Sequence, residues 1–293
     1  MTTTIDTLLA QGGNGTDDAQ TGAVVTPLYF STAYRHPGLG ESTGFDYARL
    51  STPTRQVLEE QLARLEHGVQ GFATSSGMAA IDLVFATLLK TGDHFLTSDD
   101  LYGGTFRYFD DLVVHSGVSY TACRDLEDFL TQIRPETKLI WLETPSNPTM
   151  KITDIQALST AVKAVRPDII IAVDNTFLTP IFQQPLTLGA DVVVHSATKY
   201  LGGHNDILAG AVVTNQATIA EKLAASLVTR GQVLDPFSAW LLLRSLKTLH
   251  LRMARHHENG QFLADALKTV PGVTKVLYAG VGGMVSFYLA DGY

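Results

Sequence analysis

The sequence lacks the features of exported, nucleic-acid-binding and membrane proteins. Cys123 is the single cysteine among 293 residues, so no internal disulfide can form, and a free thiol fits a reducing cytoplasm. The 21 Lys and Arg against 29 Asp and Glu leave a net charge of -8, whereas nucleic-acid binders usually show a basic face. The start, MTTTIDTLLAQGG, does not resemble a secretory signal, and no apolar run approaches the ~20 residues needed to cross a bilayer. These absences predict a soluble, cytoplasmic protein without nucleic-acid or membrane partners.

The pattern of apolar residues predicts an α/β fold. Hydrophobic residues make up 45% of the chain, which suits a well-filled globular core. After an irregular stretch rich in Gly, Pro, Ser and Thr, a helical face begins at Thr54 and stops at Gly68. Short apolar segments then predict strands: DHFLTS, GVSYTA, KLIWLE, DIIIAVD and DVVVHS. They alternate with predicted helices in SSGMAAIDLVFATLL, DLEDFLTQI and IQALSTAVKAV. Continuous apolar strands alternating with helices indicate a parallel sheet covered on both faces.

The pattern changes after about Pro236. The segment AWLLLRSLKTLHLRMARHHENGQFLADALKTV predicts one long helix with a kink, and VTKVLYAG and GGMVSFYLA predict two strands after it. We therefore predict three parts: an arm over residues 1–55, a ligand-binding domain over 56–235, and the start of a smaller α+β domain over 236–293. Two strands and one helix bury too little to be stable alone, so the last part is expected to be incomplete.

Two predicted strands end in residues of opposite charge, Asp174 and Lys199. In open α/β sheets, ligands bind at the carboxyl ends of the strands, so both side chains are expected at one crevice. A cofactor with an aldehyde and a basic ring nitrogen needs these two groups, since the amine condenses with the aldehyde and the carboxylate pairs with the protonated ring. An ordinary buried ion pair is the alternative, and the pair alone favours it.

A phosphate site is suggested by the segment SSGM, which opens a predicted helix. The amides of a helix N-terminus attract phosphate, and Gly77, between Ser76 and Met78, lets the backbone approach closely. Ser196 and Thr198, which flank the lysine, can donate hydroxyl groups to the same phosphate. The alternatives are a plain serine N-cap and ordinary strand-end caps.

Two aromatic and basic positions complete the set. Tyr102 stands beside two glycines after a predicted strand and can lie flat on a cofactor ring, although a core tyrosine would look the same. Tyr47 and Arg49 lie in the irregular arm, where the arginine can bind phosphate in a bidentate manner or merely be solvated. Together these modest signals supply every part of a site for pyridoxal 5'-phosphate (PLP). The histidines lack ligand spacing, so no metal site is predicted.

Seven segments of the sequence resemble those of the Cys/Met-metabolism family of PLP enzymes, the trans-sulfuration enzymes. They are FDYARLSTPTR, ATSSGMAAI, SDDLYGGTFRYF, LETPSNP, VDNTFLTP, VVHSATKYLGGHNDILAG and LDPFSAWLLLRSLKTLHLRM. The resemblance implies the aspartate-aminotransferase type of fold (fold type I), with a mostly parallel seven-stranded sheet in the large domain. It also implies a homodimer or homotetramer whose sites are shared between subunits.

The resemblance assigns a role to each candidate. Lys199 holds the cofactor and moves the substrate proton, and Asp174 pairs with the ring nitrogen. The phosphate is bound by Ser76, Gly77, Met78, Ser196 and Thr198. Tyr102 stacks on the ring and activates the substrate, and Asn147 lies near the ring oxygen. Tyr47 and Arg49 reach the phosphate of the neighbouring subunit, and Tyr47 also lies near the substrate.

Within the family, STAYRHPGLGESTGFDYAR and VLYAGVGGMVSF resemble bacterial cystathionine γ-synthases that also act as O-acetylhomoserine thiol-lyases. The implied reaction is γ-replacement on an O-acylhomoserine by cysteine, sulfide or another thiol in methionine biosynthesis. Arg107 is expected to bind a distal carboxylate of the substrate. An arginine that is merely exposed on the helix surface is an equally weighted alternative. A cystathionine γ-lyase or β-lyase and, from another class, an inactive PLP-binding fragment remain open.

Family members extend beyond the position of Tyr293. The additional part carries an SLGG-type loop and, in a segment like RFSVGIE, an arginine that clamps the substrate α-carboxylate. No segment of this sequence matches either. Because loss of such a clamp costs affinity and orientation, we expect a C-terminally truncated chain with impaired activity.

Overall fold

The computed structural model describes residues 4–14 and 21–292. Its strands are β1 (Gln70–Thr74), β2 (His94–Ser98), β3 (Ser119–Cys123), β4 (Thr137–Glu143), β5 (Ile170–Asp174), β6 (Val192–His195), β7 (Gly210–Thr214), β8 (Val273–Tyr278) and β9 (Val285–Leu289). Its helices are α1 (Ile5–Gln11), α2 (Pro53–Leu65), α3 (Gly77–Leu88), α4 (Gly103–Ser116), α5 (Leu126–Thr131), α6 (Ile155–Val165), α7 (Thr179–Phe182), α8 (Ala217–Arg230), α9 (Pro236–Leu246) and α10 (Leu249–Leu267). A 3₁₀ turn covers Pro185–Leu188. No helix in the described ranges has the length and apolarity that crossing a membrane requires.

Seven strands form one sheet, in the order β1-β7-β6-β5-β4-β2-β3. The pairs β2–β3, β2–β4 and β4–β5 are parallel, and β1 at the edge runs antiparallel to β7. Every residue of β2, β6 and β7 is buried, as expected for strands of a sheet that is covered on both faces. The predicted mostly parallel seven-stranded sheet is confirmed.

The chain divides into two compact units, within each of which the residues mainly contact one another. The first comprises residues 1–87 and 194–249, and the second comprises residues 88–193 and 250–293. In the first unit, α2 buries Leu58, Leu62 and Leu65 completely or nearly so. In the second, Phe109 packs edge-on against Trp141, with ring centroids 6.3 Å apart. The predicted bounds after residues 55 and 235 follow a different division and stay a prediction.

The chain from Pro236 to Leu267 is two helices, where the sequence predicted one kinked helix. Helix α9 ends at Leu246 and α10 begins at Leu249. Between them, the backbone N–H and the hydroxyl of Thr248 both donate to the Ser245 carbonyl, at 3.3 and 3.2 Å. A threonine that binds a carbonyl of the preceding turn competes with the regular helical hydrogen bonds, which accounts for the interruption.

In its described residues, 4–14 and 21–55, the arm is largely irregular, as predicted, but it includes the helix α1, which the sequence analysis missed. Helix α1 starts after Thr4, whose hydroxyl accepts the N–H of Thr7 at 3.3 Å. Gln61 donates to the Leu8 carbonyl at 2.6 Å, and Trp240 donates to the Thr26 carbonyl at 3.1 Å. These bonds hold the described arm against helices α2 and α9.

Candidate active site

Lys199 lies in a tight turn directly after β6. Its backbone N–H donates to the Ser196 carbonyl at 3.0 Å, and its own carbonyl accepts the N–H of Gly203 at 2.7 Å. Gly202 must be a glycine here, because a Cβ would lie 2.9 Å from the carbonyl oxygen of Ala197. The turn fixes the lysine backbone while its side chain stays exposed and able to react.

The start of α3 is packed against this lysine turn. A Cβ on Gly77 would lie 2.7 Å from the Cβ of Ser196, so a side chain at this position would displace the turn. The Ser76 hydroxyl accepts the N–H of Ala79 at 3.0 Å and so caps the helix. The first amides of a helix have no partner within it, which leaves those at Gly77 and Met78 suited to an anion. This cradle fits a phosphate group.

Thr198 is partly engaged by the protein itself. Its Oγ accepts the N–H of Ala209 at 3.0 Å and lies 3.1 Å from the carbonyl of the same residue, to which it donates. The backbone N–H of Thr198 also donates to that carbonyl, at 3.1 Å. These bonds fix the position of Thr198 one residue before the lysine.

The loop that carries Tyr47 and Arg49 is anchored by Arg55, a buried residue with 1% exposure. The guanidinium of Arg55 donates to the carbonyls of Ala48 and Leu50, at 2.8 Å each. Arg49 itself is exposed and donates to the Val228 carbonyl near the end of α8 at 2.6 Å. Arg49 thus contacts the end of α8 in the same chain. That it binds the phosphate in a neighbouring subunit stays a prediction.

In the second unit, β4 and β5 end side by side in two carboxyl groups. Glu143 is the register partner of Asp174. Asp174 is half-buried and accepts the N–H of Thr176 at 2.9 Å. Glu143 is 5% exposed, and burial, followed by the charge of Asp174, raises its pKa to about 7.

Tyr102 and Arg107 lie at the start of α4, and both are exposed. Tyr102 is the N-cap, and its backbone N–H donates to Glu143 Oε2 at 2.6 Å. Arg107 stands in the second turn, and its Nη1 would lie 3.5 Å from a Cβ on Gly103. The side chains of Tyr102 and Arg107 are therefore available to a ligand at this helix end.

Asn147 is half-buried in a loop that Asp100 organises. Asp100 Oδ2 accepts the hydroxyl of Ser146 at 2.5 Å and the N–H of Thr149 at 3.0 Å. Because Asp100 stands two residues before Tyr102, the same segment fixes the Asn147 loop and precedes the Tyr102 helix.

The structure groups the predicted residues within each unit. The first unit holds Tyr47, Arg49, Ser76, Gly77, Met78, Ser196, Thr198 and Lys199, and the second holds Tyr102, Arg107, Asn147 and Asp174. Glu143 received no role from the sequence, although a carboxylate directly after an apolar strand is the signal that singled out Asp174. In the described ranges, no group of three or more His, Cys, Asp or Glu residues could hold a metal ion.

Comparison with known families shows the family to which the chain belongs. The model of the Cys/Met metabolism PLP-dependent enzymes matches residues 6–292. The chain belongs to this family. The predicted resemblance and its cofactor, PLP, are confirmed, and the chain is a PLP-dependent enzyme of the cystathionine synthase and lyase group.

Relatives within the Cys/Met-metabolism family carry different activities. A cystathionine γ-synthase/O-acetylhomoserine (thiol)-lyase of Bacillus subtilis strain 168 is 48% identical, over 99% of this chain and 77% of that protein. A cystathionine β-lyase of Lactococcus lactis subsp. cremoris strain MG1363 is 45% identical, over 99% of this chain and 80% of that protein. A solved cystathionine γ-lyase of Lactobacillus plantarum, complexed with L-serine, superposes with a TM-score of 0.94 at 40% identity, covering 99% of this chain and 80% of that one. The fold is therefore PLP-dependent fold type I.

Proposed function

We propose that this enzyme transfers the four-carbon unit of an O-acylhomoserine to the sulfur of cysteine, giving cystathionine and a free carboxylate. The exposed Arg107 at the start of α4 carries the proposal, because a guanidinium there can pair with the distal carboxylate of a cysteine nucleophile. Similarity supports the same reaction, since two relatives at 48% and 49% identity are named as cystathionine γ-synthases.

The residues present fit PLP, and we propose one role for each. The amine of Lys199 would hold the cofactor covalently, and Asp174 would pair with its ring nitrogen. The packed helix start at Gly77 supports the phosphate position, because only a residue without a side chain fits against Ser196. The other roles are the phosphate for Ser76, Met78, Ser196 and Thr198, ring stacking and substrate activation for Tyr102, and the ring oxygen for Asn147.

PLP, when bound, supplies an electron-withdrawing ring that makes the Cα proton of an amino acid more acidic. The proposed chemistry of the chain itself is proton transfer and orientation. Lys199 Nζ, on an exposed side chain held by a fixed turn, removes the proton at Cα and returns it. Asp174 keeps negative charge opposite the ring nitrogen. A second proton leaves Cβ as the acyl group departs from Cγ, and a proton is restored to Cβ after the sulfur has added. Arg107 orients the cysteine carboxylate so that the sulfur reaches Cγ once the acyl group has left.

We propose that the active form is a homodimer or homotetramer in which Tyr47 and Arg49 complete the site of a neighbouring subunit, with Tyr47 also reaching the substrate. Both side chains are exposed, and the buried Arg55 holds their loop in a defined shape. We also propose the cytoplasm as the location, supported by the free, buried thiol of Cys123.

The cofactor assignment is tested by borohydride reduction of the PLP-loaded protein. We expect a pyridoxyl label on the peptide containing Lys199, and neither label nor visible absorption band in Lys199→Ala. A wild-type protein that acquires the label on another lysine would overturn the assignment.

The substrate assignment is tested by comparing two nucleophiles with O-acetylhomoserine. Arg107→Met should lower kcat/KM for cysteine by about 10- to 100-fold, because a charged hydrogen bond is lost. With sulfide, which has no carboxylate, the change should be less than about threefold. Equal losses with both nucleophiles would contradict a role in binding cysteine.

A lyase is the second candidate, favoured by the β-lyase relative at 45% identity. Supplied with cystathionine, a lyase releases an oxoacid and ammonia, whereas the synthase supplied with O-acetylhomoserine and cysteine forms cystathionine. Faster oxoacid release than cystathionine formation would transfer the assignment to the lyase. A visible band that Lys199→Ala abolishes, without turnover of either substrate, would instead identify an inactive PLP-binding protein.

A further inference from the structure

Glu143 accepts hydrogen bonds that join different parts of the second unit. Its Oε2 accepts the backbone N–H of Tyr102 at 2.6 Å, and its Oε1 accepts the indole N–H of Trp141 at 3.4 Å. The side chain is 5% exposed, so these partners replace water around the carboxyl group. A carboxyl group buried in this manner fixes the groups that it binds.

The bond to Tyr102 replaces a local helix cap. Tyr102 is the N-cap of α4, but its side chain makes no capping hydrogen bond. In a capping box, a Glu or Gln at the third helical position binds the N–H of the N-cap residue, yet that position is Thr105 here. Glu143 performs this function from strand β4, and its charge, when ionised, also favours the helix N-terminus.

Helix α4 needs such an anchor because it begins with two glycines. Gly103 and Gly104 have low helix propensity and do little to fix where the helix starts. Gly104 also provides the seat of the tyrosine ring, since a Cβ there would lie only 3.0 Å from Tyr102 Cζ. The ring orientation of Tyr102 therefore depends on the anchored backbone N–H and on the glycine beneath it.

Glu143 also stands next to Asp174, its register partner at the ends of β4 and β5. The parallel strand pair is continuous from Leu139 opposite Ile170 to this final pair, so the two carboxyl groups are fixed relative to each other. Through one side chain, the strand end that carries Asp174 is thus connected to the helix end that carries Tyr102.

We propose that Glu143 is a positioning residue that fixes Tyr102 relative to Asp174, so that the tyrosine ring and the carboxylate are held in register for the same ligand. The proposal rests on the roles proposed above for these two residues. Since a carboxyl oxygen accepts the Tyr102 N–H whether the group is ionised or protonated, the bond itself does not require a charge.

Two substitutions of Glu143 separate the charge of its carboxyl group from its function as a hydrogen-bond acceptor. Glu143→Gln keeps an accepting oxygen but has no charge, whereas Glu143→Leu keeps a similar volume and leaves the Tyr102 N–H without its acceptor. Asp191→Asn is the matched control. Asp191 is also a buried carboxylate of the same unit, 6% exposed, and accepts a backbone N–H, that of Ile171, at 2.8 Å. It stands just before β6, away from the strand ends that carry Glu143 and Asp174.

The PLP-loaded wild type and the three variants are compared by kcat, KM and visible circular dichroism of the bound cofactor. We expect Glu143→Leu to lower kcat by about 100-fold, the loss that a misplacement near 1 Å causes, and to change the visible dichroism. Glu143→Gln should stay within about tenfold of wild-type kcat. Asp191→Asn should lower the thermal midpoint but leave the visible dichroism unchanged.

A double-mutant cycle separates positioning from stability. In a Tyr102→Ala background, replacing Glu143 by Gln or Leu should lower kcat by less than about threefold, because the ring that Glu143 positions is already absent. Equal fold losses in both backgrounds would overturn the proposal, as would a Glu143→Leu variant whose dichroism and kcat match those of Asp191→Asn. If Glu143→Leu does not fold, Glu143→Gln decides. It keeps the accepting oxygen, so a loss of kcat above about tenfold or a changed visible dichroism would overturn the proposal. A wild type without a Lys199 label would instead overturn the proposed function.

Discussion

Glu66 and His195 form a buried pair, with Glu66 Oε1 2.7 Å from His195 Nε2 and both side chains 1% exposed. Glu66 follows the last residue of α2, and His195 is the last residue of β6. The pair therefore joins a helix end to the strand that leads into the lysine turn. Lys199 follows His195 by four residues, so the pair holds the strand end from which the lysine turn departs.

We predict that Glu66→Leu lowers the free energy of unfolding by about 3 kcal/mol, because breaking a buried pair leaves His195 without this partner. Glu66→Gln keeps an oxygen acceptor and should cost about 1 kcal/mol. Urea denaturation measures both. The control is Glu60→Gln on the exposed side of α2, expected within about 0.5 kcal/mol of wild type. A Glu66→Leu variant as stable as this control would contradict the prediction.

The two glycines that open α4 should respond differently to alanine. Gly104→Ala places a Cβ against the ring of Tyr102, so we expect the ring to move and kcat to fall by about 10- to 100-fold. Gly103→Ala meets only Arg107 Nη1, at 3.5 Å, which is ordinary contact with a flexible side chain. It should change the free energy of unfolding by less than about 1 kcal/mol. Steady-state kinetics with urea denaturation compares the pair, and equal kinetics would show that the ring tolerates the methyl group.

Glu143 should make stability fall as pH rises from weakly acidic to neutral. Burial raises its pKa from 4.5 to about 7 in the folded protein, so the unfolded chain loses this proton at lower pH than the folded one. The stabilising contribution is complete below about pH 4.5 and is lost as pH rises through about 7. Relative to Glu143→Gln, which does not titrate, the wild type should lose about 3 kcal/mol between pH 4 and 8.5. Urea denaturation across this range tests it, and two parallel pH profiles would contradict it.

Cys123 should be inert in the folded protein. Its side chain is 1% exposed, and burial, followed by the charges of Asp128 and Asp125, raises the pKa of the thiol to about 12. Because the thiolate is the reactive form, a chromogenic disulfide reagent at pH 8 should modify no thiol in the folded chain. In 8 M urea the same reagent should modify one. Rapid modification without urea would show that the end of β3 opens readily.

Sequence patterns predicted the central strands and the residues that follow them because this information is local. The run DIIIAVD gave β5 with Asp174 at its end, and IQALSTAVKAV gave α6 with its observed bounds. Lys199 was predicted at the end of a strand, whereas β6 ends at His195 and the lysine lies in the turn that follows, because Ser196 and Gly203 bond to the lysine backbone. Such elements are defined by residues adjacent in the chain.

Features that depend on distant partners were not predictable. Strand β7 pairs with β1, and Gly210 opposes Thr74, a partner that no local pattern identifies. The importance of Glu143 likewise depends on the register of β4 against β5 and on the start of α4. The break after α9 depends on one hydroxyl, of Thr248, choosing a backbone carbonyl.

Arg55 holds its loop through carbonyl oxygens, those of Ala48, Arg49 and Leu50. Every amino acid presents the same oxygen, so the grip on the main chain is indifferent to which side chains the loop displays. Substitutions at position 47 therefore leave these main-chain hydrogen bonds in place. The main-chain shape of this segment therefore depends on Arg55 rather than on the exposed side chain of Tyr47.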